Sequence, residues 1–214
     1  MTILHEDKDL LVVVKPAGLL TVGTDRDKSR TAHFLLNDYV RKGDPKSRHR
    51  VYVVHRLDQD TSGILLFAKS EAAKRFLQDH WEKTDKHYLA IVHGQLKISE
   101  GTISTYLAEN AAHNVYSTAD ATKGKLAHTA YRVLQESRGA SLVEIHLLTG
   151  RKHQIRVHFA DLGHPVLGDR KYGDQTSAAK RLALHARSLS FIHPFHGRVM
   201  TFDTGLPDDF ARMM

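Results

Sequence analysis

The apolar runs of this chain are short, well separated and unevenly spaced. Leu10 to Val14, Val51 to Val54, Ile64 to Ala68 and Leu142 to Leu148 each read as a strand. They do not alternate with helical patterns in the regular order that a wound parallel sheet needs. We therefore expect an α+β fold, with a mixed, largely antiparallel β-sheet and flanking helices. His87 to His93 gives a further strand that ends at Gly94, and Phe191-Ile192 and Val199 to Phe202 give two late strands around a turn at His196-Gly197. Helical spacing links Ala32, Leu35, Leu36, Tyr39 and Val40, with Thr31 placed to cap and Gly43 to stop. The same spacing links Ala73, Phe76, Leu77, His80 and Trp81 behind Ser70, and Ile155, His158, Phe159 and Leu162 before Gly163. Residues 109–127 are polar and read as a long loop or a weak hairpin. No Pro/Gly/Ser-rich linker divides the 214 residues, so a single domain spanning 1–214 is expected.

Composition narrows the function. With no cysteine, disulfides, thiolate metal sites and a catalytic thiol are excluded. The start, Met1-Thr2-Ile3-Leu4-His5-Glu6-Asp7, lacks a basic segment followed by an apolar one, and no apolar run is long enough to span a bilayer. A cytoplasmic protein without a membrane partner is the expectation. Lys and Arg number 31 against 24 Asp and Glu, a net charge of +7. The excess lies between ordered-looking segments, at Lys42, Lys46, Arg48 and Arg50, at Arg151, Lys152 and Arg156, and at Arg170 and Lys171. That distribution suits a folded basic surface and a polyanionic partner such as RNA.

The chemistry concentrates in two places. Val54-His55-Arg56-Leu57-Asp58-Gln59-Asp60-Thr61-Ser62-Gly63 puts one acid, Asp58, in a polar turn between two apolar runs, two residues after Arg56. The spacing also matches the opening of a calcium loop, but its twelfth position is Lys69 where a bidentate Glu is required. An Asx-turn is the plain structural alternative for Asp58 or Asp60. The second place is Thr149-Gly150-Arg151-Lys152-His153-Gln154-Ile155-Arg156. If the helix begins at Arg151, the cations there oppose its dipole at roughly 0.3–1 kcal/mol each, which a bound phosphate offsets. If it begins at Gln154 or Ile155, they line a solvated turn. His153 and Arg156, three apart, would share a helical face. Sixteen histidines raise the question of a metal, yet no His-Glu-x-x-His and no close His/Asp cluster with a plausible ligand set is legible, so no metal is expected. His55 and His185 read as packing residues. Ser62 lacks a nucleophile elbow, and no glycine-rich nucleotide loop appears, so no nucleotide cofactor is expected.

Several of these segments together resemble the RluA-type pseudouridine synthases. His55-Arg56-Leu57-Asp58-x-x-Thr61-Ser62-Gly63, followed by Ala68-Lys69, is similar to that family's catalytic motif, and Lys86-x-Tyr88-x-Ala90 to its tyrosine motif. Thr149-Gly150-Arg151-x-His153-Gln154-Ile155-Arg156-x-His158, then Gly163-His164-Pro165-Val166-x-Gly168-Asp169-x-x-Tyr172-Gly173, is similar to its third motif. Lys15-Pro16-Ala17-Gly18-Leu19 and Leu184-His185-Ala186 also fit. The resemblance implies a sheet with a central RNA-binding cleft, conversion of uridine to pseudouridine in ribosomal or transfer RNA, and no cofactor. It implies that Asp58 is the catalytic aspartate, that Tyr88 stacks on or deprotonates the target ring, and that Arg156 pairs with Asp58. Arg56, Arg151, Lys152, His153, Lys15 and Lys69 are the expected RNA contacts. Leu20-Thr21-Val22-Gly23-Thr24 stands where the family carries a His-Pro pair. No S4 domain is expected before the core, and the protein is expected to act as a monomer. The alternative is a catalytically silent RNA-binding module on the same fold.

Overall fold

The computed structural model describes residues 1–23, 29–173 and 179–214, so Thr24 of the opening loop lies outside the described residues. The chain divides into two compact units, Met1–Thr84 with Ser188–Thr204, and Asp85–Arg187 with Gly205–Met214. The first unit holds β1 (Thr2–Glu6), β2 (Leu10–Lys15), α1 (Ala32–Arg41), β3 (Tyr52–Val53), β4 (Ser62–Ala68), α2 (Glu71–Asp79) and a 3-10 turn, Trp81–Lys83. The second holds β5 (Asp85–His93), β6 (Glu100–Glu109), β7 (Val115–Thr118), β8 (Lys125–Ser137), β9 (Ala140–Leu147) and α3 (Gln154–Asp161). The chain then runs through β10 (Leu184–Ile192), within which the boundary falls, then β11 (Val199–Asp203) and α4 (Asp208–Ala211). The pairings β1–β2, β2–β4, β3–β4, β5–β9, β6–β7, β6–β8, β8–β9 and β10–β11 are antiparallel, in keeping with an α+β fold. No helix among the described residues is long and apolar enough to cross a membrane.

In the first unit the strand order is β1-β2-β4-β10, with β11 on β10 and β3 on β4. All seven residues of β4 are buried, and Leu10 to Val13 are fully buried. Burial on both faces is why these strands read as unbroken apolar runs. The β2–β4 register sets Leu10 opposite Ala68 and Lys15 opposite Gly63. Ser70 caps α2 by accepting from Ala73 N at 3.1 Å, and Ala73 and Leu77 enter the core with Val12, Leu66 and Phe191. The helix stops at Asp79, so Trp81 falls in the following 3-10 turn. Thr31 caps α1 as expected. The buried stripe of α1 is narrower than its apolar residues suggest, because only Ala32, Leu36 and Val40 are buried. Leu35 and Tyr39 are exposed, and the Tyr39 hydroxyl donates to Glu6 at 2.8 Å. Lys42, in left-handed conformation, ends the helix one residue before Gly43.

In the second unit the order is β10-β5-β9-β8-β6-β7. A two-residue turn, Arg138-Gly139, joins β8 to β9, and Gly139 has φ +95 there, which a β-carbon disfavours. Of the two expectations for 109–127, the hairpin holds: β7 folds back antiparallel on β6 through a first sharp turn, and a second turn leads on to β8. Asn110 closes the first turn by accepting from Ala112 N and Asn114 N, and Asp120 closes the second by accepting from Thr122 N. Ile155 and Phe159 of α3 pack with Leu89, Ile91, Val143, Ile145 and Phe210.

Candidate functional site

Asp58 sits at the mouth of β4, half-buried, in a turn closed by Thr61 N donating to Asp58 O at 3.2 Å. The main chain on both sides of it is fastened to the loop after β2. Before it, the Thr21 hydroxyl donates to Leu57 O at 2.8 Å and accepts from Leu57 N at 3.2 Å. After it, Gly18 N donates to Gln59 O at 2.9 Å, and the Gln59 amide donates back to Gly18 O at 3.2 Å. Gly18 has φ +83, a conformation open to glycine. Lys15 completes the clamp. Its Nζ donates to Pro16 O, Leu19 O and Gln59 O at 3.0, 2.8 and 2.9 Å.

That geometry corrects one of the expected RNA contacts, Lys15, and gives Lys69 a partner within the protein. Lys15 is fully buried, and its ammonium is committed to three carbonyls. Burial pulls its pKa down to about 8, against the opposing pull of Asp60 and Asp58. Lys69 is half-buried, donating to Glu6 at 2.8 Å and to Asp7 O at 2.6 Å. Lys69 in that role also removes the calcium-loop reading. Arg56 is exposed. His55 is structural as expected, since its Nε2 accepts from Leu66 N at 3.0 Å and its ring stacks on Trp81 at 4.4 Å. His185 is buried edge-on to Phe210.

The second unit carries Tyr88 and Arg156. Tyr88 lies mid-strand in β5 opposite Ile145, half-buried against the apolar core. Arg156 is buried on α3, where its Nε and Nη2 donate to the two carboxylate oxygens of Asp169 at 2.7 and 2.8 Å. The guanidinium also lies 5.1 Å from the Tyr172 ring centre. Burial pushes the Asp169 pKa up, but the Arg156 bonds and the amides of Tyr172 and Lys171 outweigh it and hold the group below its ordinary value. Asp169 stands in the sequence only as part of the third motif, with no role of its own assigned. The available signal was the glycine before it. A β-carbon on Gly168 would lie 2.1 Å from Arg181 O, so only glycine lets the chain pass there.

The helix starts at Gln154, so Arg151 and Lys152 precede it and their cost against its dipole disappears. Both are exposed on the solvated turn. Arg151 Nε donates to Leu126 O at 3.2 Å, and Lys152 pairs with Glu109 at 2.5 Å. His153 is the left-handed N-cap, φ 54, so it shares no helical face with Arg156. Its Nδ1 and the Tyr172 hydroxyl share a 2.7 Å hydrogen bond. Gln154 pins the turn from below. Its oxygen accepts from the Thr149 hydroxyl and Arg151 N, and its amide donates to His128 O and Thr129 Oγ1, so all four of its positions are used. Among the described residues, two clusters of ligand-type residues, Asp85/His87/His146 and Asp7/Asp9/His193, come together after all. Each draws one member from a distant part of the chain, which spacing in the sequence does not reveal.

Residues 9–161 match the family model described as RNA pseudouridylate synthase. An uncharacterized RNA pseudouridine synthase, YhcT, of Bacillus subtilis is 36% identical over 219 residues, covering 100% of this chain and 71% of that protein. Ribosomal large subunit pseudouridine synthase D of Nitrosomonas europaea is 36% identical over 228 residues, and this chain spans only 64% of its length. Human RNA Pseudouridylate Synthase Domain Containing 4 superposes with a TM-score of 0.81 at 26% identity, over 98% of this chain and 90% of that one. The motif residues and the α+β architecture agree with these likenesses, and the chain belongs to the RNA pseudouridylate synthase family, isomerases that form pseudouridine in RNA.

Proposed function

We propose that this chain isomerises uridine to pseudouridine in structured RNA, with Asp58 as the catalytic carboxylate, and that ribosomal RNA is the first substrate class to test, transfer RNA the second. The reaction breaks the bond from uracil N1 to the ribose, turns the ring, and joins its C5 to the same ribose carbon. C5 then loses a proton and N1 gains one, so the atoms balance with no oxidant and no nucleotide energy. Asp58 serves as nucleophile or base at the sugar. Tyr88 stacks on the uracil or accepts its proton, and Arg156 is the cation of the site. Arg56, Arg151, Lys152 and His153 contact the RNA. The target nucleotide leaves its stack, at a cost of a few kcal/mol that aromatic and phosphate contacts offset. The protein acts in the cytoplasm, as a monomer.

The observation that supports this reading best is the clamp around Asp58. Thr21, Gly18 and Lys15 hold the main chain on both sides of a single half-buried acid. A surface that only binds RNA has no need of a carboxylate held in this way. The test uses RNA labelled with tritium at uracil C5. Native protein releases tritium, and Asp58→Asn releases none while binding RNA within a few-fold of the native affinity. Turnover in Asp58→Asn removes the aspartate from the chemistry. Binding without any release by the native protein favours the silent RNA-binding module.

A further inference from the structure

The sheet of the second unit carries a chemical group on its outward face that pseudouridine formation does not use. Asp85 and His87 are two apart on β5 and so share a face, whereas Tyr88 points to the other. His146 on β9 stands directly opposite His87. The two imidazoles lie parallel, 7° between planes and 4.6 Å between centres. Both aim Nε2 at one oxygen of Asp85, at 3.2 Å from His87 and 2.8 Å from His146. All three ligand atoms lie within 4.8 Å of one another. We propose that Asp85, His87 and His146 form a zinc site, with water in the fourth position.

The argument is geometric. Zinc takes imidazole nitrogen and carboxylate oxygen at about 2.0–2.2 Å, so neighbouring ligands of a tetrahedron lie about 3.4 Å apart. The distances at Asp85 need to open from 3.2 and 2.8 Å, and the two parallel rings must turn about their side-chain bonds so that both Nε2 lone pairs converge on the ion. The side chains are 49, 30 and 41% exposed in the order Asp85, His87, His146, which leaves an approach for the ion and for water. The next acid on the same face, Glu144, does not compete as a ligand, because Arg132 holds it at 2.9 Å and Arg187 at 3.3 Å. The other cluster lacks these properties. The Asp7 carboxylate already accepts from Asp9 N and Leu10 N at 2.7 Å each, and His193 is only 1% exposed. It is a turn fastening with no open position. At Asp85, by contrast, the ion takes the place of two hydrogen bonds from imidazole and clips the start of β5 to the end of β9.

Zinc titrated into the full metal-free chain, in competition with a chromophoric indicator, is expected to show one equivalent bound more tightly than the rest. His87→Ala and His146→Ala each weaken that equivalent by about a hundredfold or more, beyond what loss of an outer partner does. His196→Ala, an exposed histidine elsewhere, leaves it unchanged. Cobalt in place of zinc gives the strong visible absorption of a four-coordinate ion, and both variants lose it. Thermal melts of the metal-free variants matching the native melt show that folding is intact. A first equivalent equally tight in both variants, or no equivalent tighter than the background of the other histidines, overturns the proposal. Neither readout depends on pseudouridine formation, so the two ideas fail separately.

Discussion

Lys15 carries a cation into a place with no solvent, and three carbonyls give it its reason to be there. An exposed lysine in contact with RNA and a buried lysine shaping a loop predict opposite outcomes. Lys15→Ala leaves those carbonyls without their donor and opens a void, so we expect a loss of about 3 kcal/mol of stability in urea unfolding. Turnover falls with it, because Gln59 keeps only its bonds to Gly18 and is held less firmly beside Asp58, while the salt dependence of RNA binding stays the same. Unchanged stability with weaker RNA binding would restore the surface reading. Asp169 presents the same logic in the second unit. Its carboxylate orients Arg156 through two bonds and also accepts from Lys171 N and Tyr172 N. Asp169→Asn removes the charge that balances a buried guanidinium, a change that costs about 3 kcal/mol in such pairs. If Asp169 acts by positioning Arg156, kcat drops well beyond any change in KM. An equal loss in both would mean that the pair only supports the fold.

At the scale of elements, α3 is unusual in burying polar side chains along with its apolar ones, Gln154, Arg156 and His158 among them. Each is satisfied by a neighbouring strand or loop. His158 shares hydrogen bonds with Thr129 Oγ1 at 2.8 Å and Thr105 Oγ1 at 3.0 Å, which tie the helix to β8 and β6. Burial lowers its pKa to about 4, His128 adds to the shift, and Asp161 opposes it. The unfolded chain takes up this proton near pH 6.5, before the folded one does, so stability is full above that value and falls as pH drops from 6.5 towards 4. The contribution is on the order of 3 kcal/mol. Unfolding measured across that range should show the loss in the native protein and a flatter profile in His158→Gln. The starts of α1 and α2 were legible because N-capping is local, as Thr31 and Ser70 demonstrate. The start of α3 was not, because the residue in left-handed conformation there is a histidine, not a glycine. The strands β6 and β8 were not legible because charged and polar residues break up their apolar ones, and the pairing of one with the other is set only in the folded sheet.

For the molecule as a whole, the net charge of +7 is a sum that does not say which cations reach a polyanion. The family resemblance makes Lys15 and Lys69 RNA contacts, yet the register of β2 on β4 buries Lys15 and the position of Glu6 on β1 gives Lys69 an acidic partner. Those are consequences of pairing between distant segments, which no local window contains. Arg151 remains exposed, with Leu126 O holding only its Nε. Lys152 is exposed too, but it is paired with Glu109 at 2.5 Å. Each phosphate contact contributes about 0.7–0.9 to the slope of log affinity against log salt. Arg151→Ala should therefore reduce that slope by close to one contact. Lys152→Ala weakens binding as well, since it also exposes the Glu109 carboxylate to the RNA, but the slope change should be smaller for a cation already partly neutralised. Lys69→Ala should leave the slope alone. Filter binding at several salt concentrations ranks the three. A ranking with Lys69 first would mean that RNA pulls this side chain away from Glu6, and the basic surface would then have to be drawn from the bound state.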